Sequence, residues 1–442
     1  MGKHNIEKNT LPYRLTYLFS VVIHNLIYRE FYVVNRPEKS IEKPSIITPN
    51  HQNALMDAMA VLFAKNEPLV FLARSDIFKQ KAVAAILHFL KILPVYRIRD
   101  GFDSLKNNQQ TFDHTVRVLT NKRGLVILPE GNHFGAKKLR PLKKGFGRIA
   151  FMTEIHGNEE VDLQIVPTAI DYTSYDSFFA RLTVFFGEPF PLQPYMAEYK
   201  ENPQKALNSI TKKLAQELKS HIIHIENDEY YEDLLLATAV YAEHQFPGNT
   251  NTIQKERYVT QRESARILNE TENQDQRKFQ DIVETASKIR KITGNIPHEF
   301  LGKKASAWSI PAFLLATMLI PLALPGTLIY GLFWFWPVFF VKKNIKDVQF
   351  RTSFRYGLYV AQFFLLLLGI LIYLLISFPL KSALILFATT ILSGILSIKL
   401  WRLFYWTMLK MRWFVLNIRH KDLSKHRQKL LDDMGNLKKH QG

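Results

Sequence analysis

Cysteine is absent from all 442 residues. That absence removes disulfides, thiolate nucleophiles and zinc–thiolate sites, and it fits a reducing compartment. No Gly-x-Ser-x-Gly nucleophile elbow occurs, and His298-Glu299 lacks the second histidine of a zinc-hydrolase motif, so no metal is expected. "GFGRIA" at 145–150 has a dinucleotide-loop look but follows a basic loop instead of a strand, which argues against a nucleotide site. Acidic residues are scarce, 39 against 58 lysines and arginines, for a formal charge of +19. Such a surplus suits an anionic partner: a phosphorylated metabolite, an anionic membrane surface or nucleic acid. Charge is missing altogether from residues 308 to 341. A straight helix of that length spans about 50 Å at ~1.5 Å per residue, well beyond a ~30 Å hydrocarbon core.

The chain has room for two or three domains. Residues 1–30 combine a basic start with an apolar stretch broken by Arg14, His24 and Asn25, and no small-residue cleavage site follows. An interfacial amphipathic helix over roughly 11–28 is expected, with a retained signal anchor as the alternative. Residues 31–201 alternate short apolar runs with amphipathic stretches, an α/β rhythm that predicts a mixed central sheet flanked by helices. The expected strands are "FYVV", "SIIT", "LVFLA", "ILPVY", "LVILPE", "LQIVPTAI" and "LTVFFGEP". Residues 202–305 turn charged and helix-prone. Residues 306–416 hold two apolar blocks, each divided near its middle by proline, which predicts about four spanning helices or a re-entrant pair, and 417–442 form a basic tail. Basic residues flank the blocks at Lys303, Lys304, Lys342, Lys343 and Lys399. A multi-pass protein with its N-terminal domain and tail in the cytoplasm follows from the positive-inside rule. A nucleic-acid partner leaves these runs unused.

"TPNHQNALMD" at 48–57 poses the chemical question. On one continuous helix His51 and Asp57 stand ~120° apart and cannot meet. If the chain turns at 49–53 and a helix starts near Ala54, the Asp57 carboxylate reaches back to an imidazole nitrogen, fixes its tautomer and leaves the other as a base. The competing account makes Asn50 or Asn53 a helix cap and His51 an ordinary loop residue. Downstream, "LPEG" at 128–131 ends a strand ahead of a basic stretch, and Arg97 follows another strand, both suited to a phosphate monoester. Arg99, Lys137, Lys138 and Arg140 read as solvated surface cations.

The order of these blocks resembles the glycerolipid acyltransferase superfamily over residues 29–191. The matching positions are His51 with Asp57, "LPVYR" ending at Arg97, Glu130-Gly131 and "IVPTAI" with Pro167. Two departures stand out: His51 and Asp57 are five residues apart instead of four, and Asn132-His133 replaces the usual Thr-Arg. The longer spacing resembles fungal-type glycerol-3-phosphate and dihydroxyacetone-phosphate acyltransferases. The resemblance implies a membrane-bound acyltransferase that uses acyl-CoA or an acyl carrier protein as co-substrate and needs no cofactor. His51 and Asp57 are its catalytic pair, and Asn50 or a nearby backbone amide polarises the thioester. Glu130 and Gly131 shape the acceptor site, Arg97, Lys143 or Lys144 grip its phosphate, and Pro167 lines a pocket wall. Glycerol-3-phosphate is the first acceptor expected, a lysophospholipid the second. A noncatalytic lipid-binding scaffold is the alternative of another class.

Overall fold

The computed structural model describes residues 10–36, 43–65, 67, 69–95, 103–121, 123–248 and 250–439, with residues 103–110 as helical backbone only. Arg97, expected to grip the phosphate, and Arg99, expected as a surface cation, lie outside these residues. The chain divides into two compact units. One comprises residues 1–222 together with 347–353, and the other 223–346 with 354–442.

The first unit is a mixed sheet built from β1 (Glu30–Val34), β2 (Ser45–Pro49), β3 (Val70–Arg74), β4 (Ile92–Val95), β5 (Leu125–Val126), β6 (Gln164–Tyr172), β7 (Arg181–Phe186) and β8 (Phe190–Pro191). Their order is β1-β7-β6-β2-β5-β3-β4, with β8 on β6. Strands β6, β2, β5, β3 and β4 run parallel, while β7 and β8 are antiparallel to β6. The "LVILPE" run yields only a two-residue strand, because the chain turns at Leu128–Gly131, where the Gly131 N–H bonds the Leu128 carbonyl.

The parallel strands need crossovers, and the amphipathic stretches between them supply helices. With α1 before the first strand and α6 and α7 after the last, the helices of this unit are α1 (Leu11–Ile27), α2 (Ala54–Lys65), α3 (Lys81–Phe89), α4 (Asp103–Thr120), α5 (Gly145–His156), α6 (Met196–Glu201) and α7 (Pro203–His221). Leu207, Ile210, Leu214 and Leu218 of α7 bury one helical stripe together with Phe146, Ile149 and Phe151 of α5 against Ile46, Leu125 and Ile165 of the sheet. Ile47, alternate to Ile46, faces the other way. Helix α1 meets α2 through Tyr17 and His24, whose rings lie 5.6 and 4.8 Å from that of Phe63. Leu11, Leu15, Leu18 and Val22 form an exposed stripe along α1. Helix α7 thus belongs with the sheet, which carries this unit past the boundary at 201 expected from the change in composition.

The second unit is helical: α8 (Tyr231–Gln245), α9 (Asn251–Gln274), α10 (Gln276–Thr293), α11 (His298–Leu301), α12 (Ser309–Leu319), α13 (Leu324–Asn344), the body of α14 (Val348–Ser377), α15 (Leu380–Arg419) and α16 (Lys421–Lys439). The basic tail is a packed element of this unit, burying Leu423, Leu430, Leu431, Met434 and Leu437 along α16. Among the described residues three stretches are long and apolar enough to cross a membrane, Ser309–Asn344, Val348–Ser377 and Leu380–Arg419, where the sequence suggests four. The later block divides at Pro379, as its "SFPLKS" suggests. The earlier one differs. Its break is a 3-10 turn at Ile320–Ala323, and Pro325 sits in the first turn of α13, where its missing N–H costs no helical hydrogen bond. Met318, Leu328 and Ile376 are 77–83% exposed, an outward apolar surface suited to lipid.

Candidate active site

The site gathers at the carboxyl ends of the parallel strands, where open α/β sheets bind ligands. Strand β2 ends at Pro49, and the chain turns through Asn50–Asn53 before α2 begins at Ala54. Ala54 takes a left-handed φ of 43°, a conformation that costs a non-glycine residue about 1–2 kcal/mol. The turn brings Asp57 back under His51, with Oδ2 2.8 Å from the imidazole Nδ1. The same oxygen accepts the backbone N–H groups of Gln52 and Asn53, each at 2.7 Å. Oδ1 accepts the Tyr172 hydroxyl at 2.9 Å.

Asp57 is 0% exposed, so four donors compensate its burial as a carboxylate. Because a carboxylate only accepts, His51 Nδ1 carries the proton and Nε2 keeps its lone pair. The His51 side chain is 15% exposed. It is an imidazole held at Nδ1 at the rim of a buried carboxylate, an arrangement that suits a general base.

Glu130 holds the turn from the next strand end. Its Oε1 accepts the His51 N–H at 2.7 Å and its Oε2 the Arg140 N–H at 3.1 Å, while the His51 carbonyl receives Phe134 N–H at 3.0 Å. Burial pushes the Glu130 carboxyl up to about 7, against those backbone donors, which pull it down. Gly131 follows with φ +73°, a left-handed position that favours glycine. Lys143 closes this loop through its own N–H on the Pro129 carbonyl at 2.7 Å, leaving its side chain exposed, and Lys144 precedes α5 half-buried.

Asn50 is placed differently from its expected role. Its Oδ1 accepts Ile170 N–H at 2.7 Å and its Nδ2 donates to the Ile170 carbonyl at 3.1 Å, pinning the turn to β6. Neither asparagine caps α2: Asn53 donates to the Tyr175 carbonyl at 3.4 Å. The backbone amides of His51, Gln52 and Asn53 are likewise engaged by Glu130 and Asp57. Pro167 lies buried within β6, opposite Thr48 of β2, as part of the sheet.

Three features escaped the sequence. Tyr172 OH reaches Asp57 from β6, and burial together with the Asp57 charge raises its phenol well above 10. Lys137, expected on the surface, is 5% exposed, with its ammonium on the Asp171 carboxylate and the Tyr172 carbonyl. Arg74 ends β3 and approaches Asn132 Oδ1 at 3.4 Å, an exposed cation at the strand ends. His133 also stands beside the base, with ring centroids 5.6 Å apart at 79°. Arg74 is also paired with Asp76. An imidazole fixed at Nδ1 with its other nitrogen toward the rim is chemistry suited to deprotonating a hydroxyl.

No curated protein compared with the chain matches it significantly. Similar solved structures include the 1-acyl-sn-glycerophosphate (LPA) acyltransferase PlsC from Thermotoga maritima, at 17% identity, covering 47% of this chain and 80% of that one with a TM-score of 0.32. A family model described as Acyltransferase matches residues 30–171, the span from β1 almost to the end of β6. The chain is thus similar to that family over these residues, and the His51–Asp57 turn lies inside the matched span.

Proposed function

We propose that the protein is a membrane-bound glycerolipid acyltransferase that moves a fatty acyl chain from an acyl thioester to the sn-1 hydroxyl of glycerol-3-phosphate. The observation that carries this reading is the His51 Nδ1–Asp57 Oδ2 contact of 2.8 Å, made by a fully buried carboxylate with three further donors. His51 Nε2 takes the hydroxyl proton as the oxygen attacks the thioester carbonyl. The tetrahedral adduct collapses with cleavage of the C–S bond, and the thiolate recovers the proton from His51. No enzyme nucleophile takes part. Arg74, Lys143 and Lys144 stand near the strand ends as candidate phosphate partners, and Arg97 keeps that role from the motif order. The resemblance in His–Asp spacing favours glycerol-3-phosphate over an acceptor that already carries a chain.

The test offers labelled acyl-CoA and acyl carrier protein to the full-length protein in detergent with glycerol-3-phosphate, dihydroxyacetone phosphate or lysophosphatidate. Glycerol-3-phosphate is expected to give the highest kcat/KM. His51→Ala is expected to lower turnover about 10²- to 10⁴-fold. Asp57→Asn preserves the shape but removes the charge that supports the imidazolium, and it should fall in the same range. Full activity in His51→Ala sinks the general-base assignment, and preference for lysophosphatidate moves the chain to the next acylation step.

A further inference from the structure

Residues 347–353 sit between two apolar helices in the sequence, yet they group with the catalytic sheet. Asp347 opens α14 with its Oδ1 accepting the Gln349 N–H at 3.0 Å. A helix cap needs no more than that. Its second oxygen, Oδ2, lies 3.1 Å from His133 Nε2. Phe350 closes on the same imidazole with centroids 4.5 Å apart at 83°. Gln349 lies so near Gly135 that a Cβ there would come within 1.7 Å of its amide nitrogen. Thr352 Oγ1 donates to the Tyr175 carbonyl at 2.6 Å. Ser353 Oγ accepts the Leu55 N–H at 3.1 Å, at the start of the helix that carries Asp57.

These contacts bear on the base itself. One hydrogen bond at Nδ1 fixes the tautomer of His51, but the ring can still pivot about that bond. The His133 ring, set at 79° to it, obstructs the pivot. His133 is in turn fixed at Nε2 by Asp347 and on its ring by Phe350. We propose that Asp347 is a positioning residue for acyl transfer, holding His133 so that the His51 imidazole keeps its working orientation. This rests on His51 being the general base, as proposed above. The short connector after α13 is then part of the reaction site as well as a link between apolar helices.

The experiment compares Asp347→Ala, Asp347→Asn, His133→Ala and the double alanine variant in the full-length protein, with Lys346→Ala as a neighbouring charge control. Misplaced catalytic groups lower turnover by about tenfold to a hundredfold. Asp347→Ala is therefore expected to lose about tenfold in kcat, with acceptor KM unchanged and only the small fall in thermal midpoint that loss of a helix cap brings. Asp347→Asn keeps an acceptor oxygen and should recover most of that turnover. Because the two residues act as one unit, the double variant should lose no more than His133→Ala alone. Wild-type kcat in Asp347→Ala overturns the proposal. A loss confined to KM, multiplicative losses, or a matching drop in thermal midpoint overturns it equally, by showing substrate contact, independence or a purely structural role. Should His51→Ala retain activity, the general-base reading fails first. A dead His51→Ala beside a fully active Asp347→Ala removes only the positioning role.

Discussion

Asp57 is the residue on which the site converges, because one buried carboxylate orders the base, two turn amides and a tyrosine from β6. Removing that phenol in Tyr172→Phe leaves Oδ1 without a donor in a buried place. The expected cost is about 1–3 kcal/mol in stability, with kcat reduced by about tenfold, read by melting and initial rates. Glu130 gives a pH signature. Its carboxyl is raised from 4.5 to about 7, so the folded state binds the proton more tightly than the unfolded chain does. The stability this contributes is present below about 4.5 and lost as pH rises through about 7. Compared with Glu130→Gln, which cannot ionise, the wild type should lose stability between pH 5 and 8 in paired melts; parallel curves would contradict the shift. At this scale His51 and Asp57 were legible because they lie on one short turn. Tyr172 was not, since its partner is 115 residues away in sequence, and buried Lys137 looked like any loop lysine.

Among the elements, most strands and helices follow the apolar rhythm, and the misses have local causes. The "LVILPE" run shortens because the Leu128–Gly131 turn takes its last residues, and within the charged, helix-prone stretch α9 gives way to α10 where Asp275 caps the latter by accepting the Lys278 N–H at 3.1 Å. The proline near the middle of the first apolar block suggests a division there, and the 3-10 turn comes a little earlier, at Ile320–Ala323. Gly326 makes a close helix contact: a Cβ there would meet the Ser393 carbonyl oxygen of α15 at 2.2 Å. That oxygen belongs to a helix backbone and moves only if the helix does. Gly326→Ala should cost about 1–3 kcal/mol as overpacking, seen as a lower melting midpoint in detergent, whereas Gly369→Ala, with nothing within 4 Å, should be neutral. Periodicity shows which helix face is apolar but not which glycine a neighbouring helix approaches.

For the whole molecule, the ends of the apolar region decide how it threads a bilayer. Trp413 Nε1 donates to the Lys303 carbonyl at 3.1 Å, and Arg427 donates to the Leu301 and Gly302 carbonyls at 2.7 Å each, so the region starts and finishes together. Residues 347–353 interrupt this region and belong with the first unit. Helix α12, at 11 residues and about 16 Å, is too short to cross a bilayer alone. We expect α12 and α13 to form a re-entrant hairpin and α14 and α15 to span. The chain lacks cysteine, so single-cysteine labelling has no background. Lys346→Cys should label from the same side as Gln428→Cys, Lys381→Cys from the opposite side, and labelling of Lys346→Cys from the Lys381 side would refute this threading. The same 347–353 segment also fixes an order of events during synthesis. At roughly 5–20 residues per second, Asp347 leaves the ribosome on the order of ten seconds after the sheet and α7 are complete. By then the uncharged run 308–341 has already been synthesised, so under the role proposed for Asp347 the site is completed only after the first apolar block is made.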